Sequence, residues 1–323
     1  MVSLTARVVR FYVEWIRRSK DYYGDTSKMR EHIQTLHMRP QSFSPPQNLG
    51  PDIKIERVDI QDWPLYRISC WPSSGVQDAA NHPAMLYCHG GAFVHEIQSM
   101  HYKFLAQIAR DTGLDILVPI YPLVPRPTAT AEQVIAGLHE IMTQVKQPIV
   151  SIAGDSAGGT LAILVAQHLV RIKSDLASRV RSLVLISPLL DCTISHPETK
   201  TLEVNDPWLS PEGLRMAADL FKGACALSNP RISPLFGDIA DLPPTMLLCG
   251  THDLLCIDAR RLSARFRNGG SFGNTDAWMA GSVELERFTY VEAEEMIHVW
   301  PILPSAEGAE ARRTIMGFLR KHM

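Results

Sequence analysis

The chain has 323 residues, 46% of them apolar and 20% charged, with a formal net charge of −2. That length can bury a large core, in one domain or in one domain with a smaller appendage. Near-neutral charge with scattered Lys and Arg excludes the electrostatic footprint of a nucleic-acid binder, and no stretch approaches the ~18 apolar residues of a membrane span.

Residues 1–50 carry an amphipathic segment (Leu4, Val8, Phe11, Trp15) and end in the proline-rich Phe43-Ser44-Pro45-Pro46. Arg7, Arg10 and Glu14 break its apolar run, so it does not read as a secretory signal and the expected location is the cytoplasm. The helix is expected to pack against the body, because its polar face lacks the strong basicity of a membrane-surface helix. From about residue 54, short apolar runs alternate with segments of helical period. The expected strands are Ile53 to Ile60, Leu65 to Trp71, Ala84 to His89, Ile116 to Tyr121, Pro148 to Ala153, Ser182 to Ser187, Thr245 to Cys249 and Arg287 to Glu292. Helices are expected near 98–112, 130–145, 157–173, 257–268 and 306–321, with another at about 211–222 outside the sheet rhythm. This alternation predicts an α/β fold, a mostly parallel sheet covered on both faces, with the first two strands as an antiparallel hairpin at one edge. Residues 1–50 and 192–232 fall outside the alternation and are expected to cap the crevice at the strand ends, leaving 51–191 and 233–323 as the core. Six cysteines, at 70, 88, 192, 225, 249 and 256, form no CxxC pair and read as free thiols in a reducing compartment.

Gly154-Asp155-Ser156-Ala157-Gly158-Gly159 lies between the strand Pro148 to Ala153 and the helix-like run from Leu161. A serine with glycines two residues to either side, between strand and helix, has the pattern of a nucleophile elbow, which exposes the hydroxyl to a base. Acyl transfer also needs donors for the developing oxyanion. His89-Gly90-Gly91-Ala92-Phe93 follows a strand end, and the expected donors are the N–H groups of Gly90, Gly91 and Ala157. For the base, His298 stands just beyond the last strand, with His252 as its competitor. For the carboxylate that orients it, Asp253 follows the penultimate strand directly, whereas the rival Asp258 falls inside the next helix. The order Ser156, Asp253, His298 is that of α/β-hydrolases.

With these motifs the sequence resembles the hormone-sensitive-lipase-like family of α/β-hydrolase esterases. Further markers are Tyr121-Pro122-Leu123-Val124-Pro125, Ser187-Pro188-Leu189-Leu190-Asp191, Asp206-Pro207-Trp208-Leu209-Ser210, Ile232-Ser233-Pro234-Leu235, Leu242-Pro243-Pro244 and His252-Asp253-Leu254-Leu255. The resemblance implies an eight-stranded hydrolase core, a helical cap, and hydrolysis of small-molecule carboxylic esters with no cofactor or metal. It carries the nucleophile, acid and base roles onto Ser156, Asp253 and His298, the donor roles onto Gly90, Gly91 and Ala157, and a loop-anchoring role onto His89. Asp155 resembles the acidic residue often found beside the serine, and is grouped with Phe93, Leu209 and Val299 as expected substrate contacts. Its alternative is a solvated or loop-bonding carboxylate. Two departures stand out. Arg126 occupies the place of a glutamate common in relatives, and the long interval from Asp253 to His298 suggests a surface insertion at about 268–278. The same triad would serve deacetylation, amide hydrolysis or lactone opening, and a ligand receptor on a hydrolase body is the alternative from another class. An exposed edge strand could support a homodimer.

Overall fold

The computed structural model describes residues 2–70, 82–272 and 280–323. Four helical pieces open the chain: α1 (Leu4–Phe11), which continues as a π-helical turn over Tyr12–Arg17, then α2 (Lys20–Tyr23) and α3 (Thr26–Met38). A β-hairpin follows, β1 (Ile53–Ile60) and β2 (Trp63–Cys70), in antiparallel register with Ile60 opposite Trp63. Its two-residue turn, Gln61-Asp62, has both residues at positive φ, the geometry that matches the twist of a tight hairpin. The alternation then runs β3 (Ala84–Cys88), α4 (Ser99–Thr112), β4 (Asp115–Pro119), α5 (Ala131–Gln144), β5 (Ile149–Asp155), α6 (Ala157–Arg171), a short α7 (Asp175–Arg179) and β6 (Ser182–Ile186). After α8 (Thr199–Asn205) and α9 (Pro211–Phe221) it resumes with β7 (Thr245–His252), α10 (Cys256–Arg267), β8 (Val283–Leu285), β9 (Phe288–Ile297) and α11 (Ala306–Lys321).

The sheet order is β1-β2-β4-β3-β5-β6-β7-β9-β8, parallel from β4 through β9 and antiparallel at both edges. Every strand expected from sequence is present. The described residues add a ninth, the short β8, to the eight that the resemblance implies. Strands β3, β4 and β6 are buried along their whole length, which explains why they read as continuous apolar runs: helices cover both of their faces. Helix α6 is the inner support, buried from Ala157 to Ala166, and is apolar all round because strand and helix neighbours surround it.

Outside this frame, α2 and α3 pack on α9, so the segment before the sheet meets the segment inserted after β6. Helix α3 has no counterpart among the sequence-based expectations. Part of the expected insertion, residues 273–278, lies outside the described residues; its first residues are tied to α10, where Arg265 Nε donates to Gly270 O at 2.9 Å. Among the described residues no helix is long and apolar enough to cross a membrane, and no group of three metal-ligating side chains is assembled.

Candidate active site

Ser156 is the single residue between β5 and α6, at φ 52° and ψ −124°. A β-carbon there is strained, and the surrounding turn must hold it. Gly154 and Gly158 make the turn feasible by close approach. A Cβ on Gly154 would sit 2.3 Å from the carbonyl oxygen of Gly158, and one on Gly158 only 2.1 Å from that of Cys88. The Ser156 N–H is fixed to Ile186 O at 2.8 Å, which leaves the hydroxyl directed out of the turn.

Three strand ends converge on that hydroxyl. Asp253 directly follows β7 and His298 directly follows β9, so both emerge at the carboxyl ends of parallel strands beside β5 and β6. His298 Nε2 lies 2.9 Å from Ser156 Oγ, and its Nδ1 lies 2.9 Å from Asp253 Oδ2. An ionised carboxylate can only accept, so Nδ1 carries the hydrogen and Nε2 is the acceptor facing the serine. All three side chains are buried. Burial by itself pushes the His298 imidazole down, but the charge and hydrogen bond of Asp253, with the charges of Asp206 and Asp155, raise it above its ordinary value. Burial likewise opposes ionisation of Asp253, and is outweighed by His298, the Ser187 hydroxyl and the Leu255 N–H, which hold its carboxyl below the ordinary range. Both competitors lie elsewhere in the bonding pattern. His252 Nδ1 meets Arg10 Nη1 at 2.6 Å, and Asp258 pairs with Arg261 at 2.7 Å on α10.

The loop after β3 faces the same cleft. His89 stacks on Tyr121 with ring centroids 4.5 Å apart, and Tyr121 Oη donates to His89 O at 2.5 Å. Gly91, Ala92 and Phe93 then take positive φ in succession, and Gly91 and Ala92 line the cleft over Ser156. Here the structure corrects one expectation. The Gly90 N–H is not available as a donor, because it is given to Asp155 Oδ1 at 2.9 Å. Among the described residues the N–H groups of Gly91, Ala92 and Ala157 have no acceptor. Asp155 lines the cleft, and its buried carboxylate also accepts from Tyr87 Oη at 2.6 Å and faces His101 Nε2 at 3.3 Å, so it ties the loop to the elbow as in the alternative reading. Burial opposes its charge, and these partners more than offset that, holding the carboxyl below its ordinary value.

The cleft over Ser156 encloses about 420 Å³ including the part open to solvent, and its walls include Arg17, Tyr23, Trp208, Leu209 and Val299. Leu209 and Val299 line this cleft. Phe93 does not: it is buried and stacks flat on Phe221 of α9, with centroids 3.9 Å apart and planes at 3°. It pins the loop to α9 and is not a wall of the cleft.

Sequence reasoning gave no role to several neighbours of the relay. Asp206 is buried, accepts from Trp208 and Leu209 N–H through Oδ1 (2.7 and 2.9 Å), and from Leu254 N–H through Oδ2 at 2.7 Å. Burial and the nearby charge of Asp253 push its carboxyl up to about 6. Trp208 meets the His298 ring edge-on at 5.8 Å, and Ser187 Oγ accepts the Val299 N–H at 3.1 Å. The Asp-Pro pair at 206–207, followed by N–H groups two and three residues on, is an Asx-type signal. Nothing local shows that its second oxygen reaches across to β7.

A parallel sheet with a serine on a strand–helix elbow, an imidazole and a carboxylate on later strand ends, and a glycine loop opposite them defines an α/β hydrolase. The chain belongs to that family: the alpha/beta hydrolase fold profile matches residues 85–277. It is 32% identical over 238 residues to a triacylglycerol lipase of Mycobacterium tuberculosis, covering 71% of this chain and 45% of that protein. With an esterase of Acinetobacter venetianus it shares 26% identity over 252 residues, 74% of this chain and 80% of the relative. The chain thus spans less than half of the mycobacterial lipase but most of the Acinetobacter esterase. Among solved structures, an esterase from the bacterial hormone-sensitive lipase family superposes with a TM-score of 0.72 at 26% identity, covering 100% of this chain and 99% of that one. The family resemblance read from the motifs therefore holds.

Proposed function

We propose that the protein is a serine carboxylesterase that cleaves short- to medium-chain acyl esters through an acyl-enzyme, with Ser156 as nucleophile, His298 as general base and acid, and Asp253 as the orienting carboxylate. The observation that carries the reading is the pair of 2.9 Å contacts linking the three side chains. Ser156 Oγ attacks the ester carbonyl while its proton passes to His298 Nε2. Asp253 stabilises the imidazolium, and the N–H groups of Gly91, Ala92 and Ala157 receive the oxyanion. The imidazolium protonates the departing alkoxide, and the histidine then activates a water that releases the acid. No metal or cofactor takes part. Relatives named esterases and lipases support ester hydrolysis.

Residues 1–50 and 192–232 act as a cap in this reading, since Arg17 and Tyr23 from the first and Trp208 and Leu209 from the second line the cleft. Six free thiols, four of them buried, suit a reducing compartment, and the cytoplasm is the proposed place of work. The test is turnover of p-nitrophenyl butyrate by Ser156→Ala, expected to fall by at least ~10⁴, together with fluorophosphonate labelling of the intact protein at Ser156. Unchanged turnover in the purified variant, or a protein inert to the probe, overturns the proposal. Parallel amide and lactone series separate ester specificity from the other reactions that the same relay can perform.

A further inference from the structure

The segment before the sheet meets the body along one stripe. Val2, Ala6, Val9 and Val13 pack on the core, whereas Leu4, Val8, Phe11 and Trp15 face solvent, so the expectation of ordinary packing holds for that stripe only. The last residue of the segment has another place. The π-helical turn ends at Arg17, and Arg18 leaves it in the left-handed region at φ 51°. The half-buried Arg17 carries its guanidinium 4.3 Å over the Trp208 ring, and both side chains line the cleft over Ser156. Trp208 in turn meets the His298 ring at 5.8 Å, so one indole stands between the cation and the base. Stacking on a ring takes up the face of a guanidinium and leaves its edge, with the N–H fork, open to a planar anion. Nearby arginines are engaged otherwise: Arg18 pairs with Asp21 at 2.8 Å, and Arg10 meets His252 and the Asn205 carbonyl. Among the described residues no carboxylate pairs with Arg17, and its guanidinium donates to no other group.

The rest of the wall agrees. Asp155 is the one carboxylate among the described residues of the cleft, and its oxygens are taken by the Gly90 N–H, Tyr87 Oη and His101. His95 also lines the cleft. Its buried ring meets His32 Nε2 through Nε2 at 3.3 Å, and its Nδ1 has no hydrogen-bond partner among the described residues. Burial, then His32 and Arg17, push His95 down to about 3, so at neutral pH its ring offers a hydrogen-bonding nitrogen without a charge. We propose that the preferred esters carry a carboxylate, on the acyl or the alcohol side, which Arg17 receives while Ser156 attacks the ester carbonyl. A carboxylate matches the guanidinium fork with two parallel hydrogen bonds, and the neutral His95 wall does not oppose it. The inference rests on the esterase reading and adds the charge of the substrate to it.

Two matched pairs of esters test it, each exchanging a terminal methyl for a carboxylate. Monomethyl glutarate against methyl valerate probes the acyl side, and γ-acetoxybutyrate against butyl acetate probes the alcohol side. Acid release is followed by pH-stat for the wild type, Arg17→Met and Arg17→Lys. In one pair the wild type should favour the anionic ester in kcat/KM by about 10-fold or more, the worth of one charge-assisted bond, and that pair identifies the side. In Arg17→Met the anionic-to-neutral ratio should fall by about 10–100-fold, and Arg17→Lys should keep part of it, since it retains the charge and loses the fork. A wild type that favours the anionic ester in neither pair, or a ratio unchanged in Arg17→Met, overturns the proposal. The wild-type ratios need no variant, so a misfolded Arg17→Met leaves the test standing. A wild type that cleaves none of the four esters overturns the esterase reading itself, which tells the two failures apart.

Discussion

Asp206→Asn is the sharpest probe of the framework around the relay. The carboxylate holds three backbone N–H groups, Trp208 and Leu209 on one oxygen and Leu254 on the other. An asparagine can keep its carbonyl on the first two, but its NH₂ then faces the Leu254 N–H, donor against donor. Loss of one charge-assisted bond costs about 1.5–3 kcal/mol. Relief of a buried charge offsets part of this, and that charge is unfavourable enough to push the Asp206 carboxyl up to about 6. A net loss of about 1–2 kcal/mol at pH 7 corresponds to a fall in Tm of roughly 1.5–3 °C for a chain of this size. The sign with pH is definite. A carboxyl whose folded-state pKa is raised favours folding while protonated, so its contribution is present below pH ~4 and lost as pH rises through about 6. The deficit of the variant should therefore be larger at pH 4 than at pH 7. Because Asp206 also raises His298, the acid limb of kcat/KM should move to lower pH in the variant. Scanning calorimetry at the two pH values and a pH–rate profile with p-nitrophenyl butyrate make the measurement. A Tm and a profile that superimpose on the wild type would refute the role given to Asp206.

In the wild type the acid limb of kcat/KM should lie above pH 6.5, since the charge of Asp253 more than offsets burial of His298; a rate flat down to pH 4 would rule His298 out as base. The same raised value means that His298 stabilises the fold below its ordinary pKa and loses that contribution as pH rises through the folded one. Phe93→Ala removes the flat stack on Phe221 and should cost about 3–5 kcal/mol in urea unfolding, with a lower kcat as the loop loosens; a variant of wild-type stability would show that the stack holds nothing. Gly158→Ala should yield no native protein, because its Cβ would meet the Cys88 and His89 carbonyl oxygens at 2.1 and 2.4 Å; a soluble variant with a wild-type circular dichroism spectrum would contradict that geometry. Iodoacetamide should label the half-buried Cys70 and Cys225 before Cys88, Cys192 and Cys249, which are buried out of its reach. Mass spectrometry of the native protein after brief exposure reads the order.

Sheet strands were legible because burial on both faces leaves an unbroken apolar run, as in Leu183-Val184-Leu185-Ile186, and glycine-bounded turns mark their ends. The relay residues were legible for a related reason: each directly follows a strand, at Asp155/Ser156, His252/Asp253 and Ile297/His298, where the fold presents chemistry. What could not be read depends on contacts distant in the chain. Whether the Gly90 N–H is free turns on a carboxylate 65 residues away, and Phe93 looks like a pocket wall until α9 is placed against it. Asp206 gives a turn signal only, because Leu254 reaches it across 48 residues. The solvent-facing stripe of α1 escaped for another reason. Amphipathicity shows that a helix has an apolar side and does not show which way that side is turned.

The carboxylate next to Ser156, the proposed nucleophile, has a consequence for how the geometry of the cleft is kept. Asp155 and Ser156 are chain neighbours, and the former grips the amide of Gly90 while His101 and Tyr87 grip it in turn. The gap between the hydroxyl and the facing amides is thus gauged by one short side chain anchored at its own neighbour. Glycine at position 90 follows from the same grip, since a Cβ there would sit 2.2 Å from Asp155 Oδ2: the carboxylate that sets the spacing also dictates what can stand opposite it.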